Sequence, residues 1–153
     1  MNAALSAWNR LESKPLGKAF FSRFICWKAP YFGTISPRFV ELRPGFARVT
    51  MRKRRAVQNH IGTVHAIAMC NLAELAAGTL TEVSIPASMR WLPKGMQVEY
   101  VRKAETDVEA TATLPAVEEG AAREVPATVE VRDRGGEVVC RAVITMWVSP
   151  RKK

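Results

Sequence analysis

The chain has 153 residues, 48% of them hydrophobic and 24% charged, with a formal net charge of +9. That length and balance describe one globular domain with a real core, and exclude two full domains, a disordered chain, or an apolar run of the roughly 18 residues a membrane helix needs. The basic excess asks for an anionic partner: nucleic acid, a membrane surface, or a phosphate-bearing ligand.

Cys26, Cys70 and Cys140 are dispersed without CxxC spacing, and His60 and His65 lie outside any Cys/His cluster. Reduced thiols, no metal site and a cytoplasmic location are therefore expected. Trp8, Asn9, Arg10 and Glu12 break up any secretory h-region. Aromatic residues do not interleave with basic ones as a base-stacking platform requires, so no specific nucleic-acid binding is expected.

In chain order, Leu5, Trp8 and Leu11, then Phe20, Phe21 and Phe24, recur near helical spacing and are interrupted at Pro15-Leu16-Gly17. Ala29-Pro30 and Gly33 close this helical region, which forms an extension over residues 1–33. From Ser36 the period becomes two. Phe39/Glu41 and Val40/Leu42 fall on opposite faces, Arg43-Pro44-Gly45 turns the chain, and Ala47, Val49 and Met51 alternate with polar residues to complete a hairpin. Residues 63–79 are then apolar nearly all round, with Thr63 as the expected N-cap and Gly78 near the stop, which predicts a buried helix. Alternating segments follow at Met89–Arg102, Thr106–Leu114, Val125–Arg132 and Val138–Val148, the last two joined by the turn Asp133-Arg134-Gly135-Gly136. Arg151-Lys152-Lys153 reads as a solvated tail. One helix this apolar needs a sheet over it, so the fold is α+β: an antiparallel sheet of five or six strands on one long helix.

Polar residues that could carry chemistry gather around that helix. Asn59 precedes it, His65 falls in its first turn, and Glu74 lies within its apolar stretch. A carboxylate there costs several kcal/mol unless paired, hydrogen-bonded or protonated. A structural ion pair would satisfy it, and so would a catalytic role; Asn71, one turn earlier, is a possible hydrogen-bond partner. Nine residues at ~100° each turn the helix by about 900°, so His65 and Glu74 leave opposite faces roughly 13–14 Å apart along the axis. They can share a substrate only across two copies of the helix, as in a two-fold dimer with the helices antiparallel. The first-turn amides, including that of Ala66, face the positive end of the helix dipole and can polarise a thioester carbonyl. Gly62 lets backbone or ligand approach closely. The run Arg52-Lys53-Arg54-Arg55 reads either as a solvated strand end or as a phosphate-binding cluster.

The segment Asn59-His60-Ile61-Gly62-Thr63-Val64-His65-Ala66, with Glu74 nine positions after the His, resembles the motif of hotdog-fold thioesterases of the phenylacetic-acid-pathway type. It is most similar to a bacterial subgroup known as a domain of unknown function, which shares a strand like Trp91-Leu92-Pro93-Lys94-Gly95-Met96. The resemblance runs from about Thr34 to Ser149 and implies a hotdog domain over 34–153. It also implies an active site at the dimer interface: Asn59 positions water or the carboxylate, His65 orients the substrate carbonyl, the Ala66 amide is an oxyanion donor, and Glu74 of the other copy is base or nucleophile. Coenzyme A, part of the substrate and not a cofactor, would meet Arg52, Arg54, Arg55 and Lys94. The chain departs from the family in carrying Ala66 where Gly is usual, and Leu92-Pro93-Lys94 near where relatives offer a Ser or Thr. Two readings follow: hydrolysis of an acyl-CoA thioester by a homodimer or dimer of dimers, or acyl-thioester or lipid binding with little or no turnover. Membrane insertion is not expected.

Overall fold

A computed structural model describes residues 2–151 of the chain; Lys152 and Lys153 of the expected tail lie outside them. Helices α1 (Ala3–Leu11) and α2 (Gly17–Lys28) and a 3-10 segment (Pro30–Ile35) come first. The hairpin β1 (Arg38–Arg43) and β2 (Phe46–Met51) leads to the long helix α3 (Ala66–Ser84), then to β3 (Met89–Tyr100), β4 (Val108–Thr113), β5 (Arg123–Asp133) and β6 (Val138–Pro150). The strands form one antiparallel six-stranded sheet in the order β1-β2-β4-β5-β6-β3. This is the expected hotdog arrangement, with α3 against the sheet.

Alternation sets the inner face. Val49, Met51, Ala110, Ala112, Val129, Val131, Ala142, Ile144 and Met146 are buried beneath Leu72, Leu75, Ala76 and Leu80 of α3. Strict alternation fails in β1, where the pairing shifts between Phe39 and Glu41. One extra residue re-aims the strand, so Phe39 and Leu42 are both buried while Val40 and Glu41 are half-exposed. Ser22 of α2 supports this point: its Oγ accepts the Phe39 N–H at 2.9 Å. Trp8, Phe21 and Phe39 then meet edge-to-face, with ring centroids 5.1–6.5 Å apart, and carry the N-terminal helices into the main core.

Both expected ends of α3 are corrected. His65, not Thr63, is the N-cap: its Nδ1 accepts the Ile67 N–H at 3.0 Å. Thr63 is instead tied to Asn59. Gly78 does not stop the helix, which continues to Ser84 and ends at Ile85, the residue before Pro86, where the proline ring disfavours helical backbone. A Cβ on Gly78 would stand 2.9 Å from the Trp91 ring, so this glycine makes room for the tryptophan. Arg151 is exposed, but its Nε donates to the Met89 carbonyl at 2.9 Å, which fastens the last described residue to the sheet.

Gly17 marks where α1 and α2 touch. A Cβ there would lie 1.8 Å from the Leu11 carbonyl oxygen, a backbone atom that cannot step aside. Gly17→Ala is expected to cost about 2 kcal/mol or more despite alanine's helix propensity. Urea unfolding checks this, and an unchanged midpoint would contradict it.

Candidate functional site

The loop that feeds α3 is built by Asn59. Its Oδ1 accepts the N–H groups of Ile61 (3.2 Å) and Thr63 (3.0 Å), and its Nδ2 donates to Thr63 Oγ1 at 2.8 Å. Gly62 turns this loop at φ +78°, with open space around its Cα. Backbone conformation, not close approach by protein, is what requires glycine there. The helix entry is then pinned by Val64 N–H on the Ala104 carbonyl and His65 N–H on the Val57 carbonyl, both at 2.8 Å.

This entry orients His65. Because Nδ1 accepts the Ile67 N–H, the neutral ring carries its proton on Nε2, on an exposed side chain. Ile67 is satisfied by the cap and Met69 donates to the His65 carbonyl, whereas the Ala66 and Ala68 amides have no acceptor among the described residues. One imidazole donor and two free amides thus stand at the positive end of a 19-residue helix. His65 and Ala68 line a cleft of about 190 Å³ together with Tyr31, Thr34, Gln58 and Asn71. Asn71 does not bond Glu74: its Nδ2 donates to Thr34 Oγ1 at 3.3 Å, because its side chain leaves α3 on the 3-10 side.

Glu74 lies in a different cleft, of about 300 Å³, with Ile25, Lys28, Ala29, Phe32, Leu75, Gly78 and Trp91. It is half-buried, not enclosed in the core as its apolar neighbours in sequence suggest. Its carboxylate has no hydrogen-bond or ion-pair partner among the described residues. Glu82 closes the same cleft, accepting Trp91 Nε1–H and Asn2 Nδ2–H, both at 2.7 Å. Within one chain His65 and Glu74 therefore serve separate clefts, as their helical spacing requires.

The 3-10 segment connects the two. At three residues per turn, Phe32 and the preceding Ala29 face the Glu74 cleft, and Tyr31 and Thr34 the His65 cleft. Arg54 holds it, with Nη2 donating to the Thr34 carbonyl (2.7 Å) and Ser36 Oγ (3.2 Å). Lys53 is anchored too: its N–H donates to Asp107 Oδ1 at 2.8 Å. That bond, with help from Arg134, holds the Asp107 carboxyl below its ordinary value. Arg52 and Arg55 are exposed and have no partner among the described residues. Lys94 pairs with Glu124 and lies over the Trp147 ring, on the sheet's β3 side. The cleft-forming roles of Phe32, Tyr31 and Thr34 carry no motif; an aromatic pair around Pro30–Gly33 is the one available hint.

A six-stranded antiparallel sheet packed against one long central helix defines a hotdog-fold protein. The chain belongs to the family described as Domain of unknown function (DUF4442), whose profile matches residues 17–148. A crystal structure described as genomics APC5556 is 48% identical, with TM-score 0.83 over 97% of this chain and 98% of that one. Pseudomonas aeruginosa PA5026, described as a protein of unknown function and probable thioesterase, is 25% identical, with TM-score 0.77 over 85% and 93%. The thioesterase HI1161 of Haemophilus influenzae shares the fold at 14% identity, with TM-score 0.69 over 78% and 82%. No curated protein matches the sequence.

The cap and the chemistry of His65 are separable. His65→Ala is expected to cost about 1 kcal/mol through the lost cap, and His65→Asn close to nothing, since asparagine is among the best N-caps. Equal losses in urea unfolding would contradict the capping role.

Proposed function

We propose that this protein is a cytoplasmic acyl-CoA thioesterase of the phenylacetic-acid-pathway type that acts as a homodimer, with each active site shared by two copies. The observation that carries this reading is the division of polar groups along α3: donors at its start, and an unpaired carboxylate nine residues on in an apolar cleft. The two halves are complementary but lie apart in one chain, and antiparallel α3 helices about a two-fold axis would bring each half to the other twice. An unpaired edge strand, β3, with Leu92 65% and Tyr100 51% exposed, and Ile67 56% exposed on α3, supports a further copy of the chain as neighbour.

In this reading the thioester carbonyl rests on the Ala66 amide, with His65 Nε2–H orienting its oxygen as charge develops. Glu74 of the other copy takes a proton from water as the water oxygen adds to the carbonyl carbon. The C–S bond then breaks, and coenzyme A leaves as thiolate and takes up the proton. Direct attack by the Glu74 carboxylate, followed by hydrolysis of the anhydride, is the alternative order of events. Asn59 serves by fixing the loop that sets this geometry. Arg55, next in sequence to the Ala56–Gln58 wall of the His65 cleft, and Arg52 would meet a phosphate of coenzyme A; Arg54 acts by bracing the 3-10 segment. The cleft beside Glu74 is lined mostly by apolar side chains, which suits an acyl chain.

Glu74→Gln tests the assignment. The amide is nearly isosteric and the native carboxylate has no ion-pair partner to strand, so the protein should stay folded with an unchanged melting temperature. Acyl-CoA turnover should fall about 10²–10⁴-fold. Full turnover in the folded variant would end the catalytic role of Glu74. Binding of acyl-CoA by the wild type with no release of free thiol would instead favour the reading as an acyl-thioester binder.

A further inference from the structure

A cleft of about 500 Å³ lies apart from both α3 clefts, between α2 and the start of β1. Arg23 and Trp27 of α2, Arg38 of β1, and Gly33 and Ser36 between those elements all line it. Neither arginine has a hydrogen-bond or ion-pair partner among the described residues, and no carboxylate lines the cleft. Most other arginines of the sheet face differ: Arg43, Arg48, Arg102, Arg132, Arg134 and Arg141 are each paired with an acidic side chain. Two guanidinium groups lining one cavity without a counter-charge suit an anionic ligand.

Trp27 supplies the second half of the argument. It is 75% exposed, with one face stacked on Phe24 of the same helix at 6.2 Å, while Phe21 and Ile25 turn inward. An indole this exposed, in the same cleft lining as two guanidinium groups, matches a ligand with both a planar ring and a phosphate. Cys26, also in the lining, is pushed up by burial against a lesser lowering by Arg23, so its thiol stays protonated and adds no negative charge.

We infer that this cleft binds a phosphorylated purine nucleotide, with phosphate on Arg23 and Arg38 and the base against Trp27. Its position fits the nucleotide end of a thioester substrate. The 3-10 segment that borders the His65 cleft through Tyr31 and Thr34 borders this one through Gly33 and Ser36, so a ligand crossing that segment would reach both. The thioesterase reading guides only the choice of probe, because the inference needs binding and not hydrolysis.

The test is direct titration of the full chain with adenosine 3′,5′-bisphosphate, followed by calorimetry and tryptophan emission. Saturable binding that quenches emission is expected, weakening as salt is raised. Trp27→Phe should abolish most of the quench, and Arg23→Gln with Arg38→Gln should weaken binding by about tenfold or more. All three side chains are exposed, so unchanged melting temperatures will show that the fold is intact. Unphosphorylated adenosine should bind far more weakly, and inorganic phosphate should compete. Coenzyme A binding more tightly than the bisphosphate, with both weakened by the arginine pair, identifies a thioester source; equal affinities identify a free nucleotide. Binding that is absent, or unchanged in the double arginine variant, overturns the inference whether or not the protein hydrolyses acyl-CoA.

Discussion

Helix α3 is too apolar to present any broad face to water, and the architecture follows from that constraint. The sheet covers one side through β2, β4 and β5, and the N-terminal helices and 3-10 segment come down on another. Covering a helix by separate bodies creates seams between them. Three polar side chains of α3 emerge at those seams, Asn71 toward Thr34, Glu74 beside Leu75 and Phe32, and Glu82 onto Trp91, while Thr81 and Ser84 bond the helix's own carbonyls. Sites arise here because covering the helix leaves gaps that polar groups can occupy at modest cost.

The 3-10 segment has an influence beyond its six residues. Its threefold repeat sends successive residues to three clefts, so one short element sets the walls of the apolar cleft, the histidine cleft and the arginine-lined cleft together. Arg54 fixes it by two hydrogen bonds and Asn71 by a third, which couples the wall positions to the basic run on one side and to α3 on the other. A charged residue can thus matter to a site through the backbone it holds, without touching a ligand.

Much of the fold is legible in the sequence because periodicity reports burial. The strands β3 to β6, the hairpin turn at Asp133–Gly136, the break at Gly17 and the central helix all follow from it. What periodicity does not report is a local slip: the bulge at Phe39–Glu41 changes which side chains are buried without changing the residue pattern. The helix start shows a similar limit. Thr63 is the better N-cap by composition, but Asn59 takes it into the loop, so the cap passes to a histidine. For the site, the separation of His65 from Glu74 could be worked out from helical geometry alone. The apolar cleft could not, since it joins Ile25 and Phe32 to residues of α3 more than forty positions later. Nor does the spacing of Arg23 and Arg38 announce that they face one cavity.

The central claim is that His65 of one copy and Glu74 of another complete a single site, and subunit mixing tests it most directly. His65→Asn and Glu74→Gln proteins, each with little activity alone, would be combined in equal amounts, unfolded in urea and refolded together. Random reassortment makes about half the dimers mixed, each with one intact site of two, so turnover should return to about a quarter of the wild-type value. Mixed samples no more active than the separate variants would contradict a shared site.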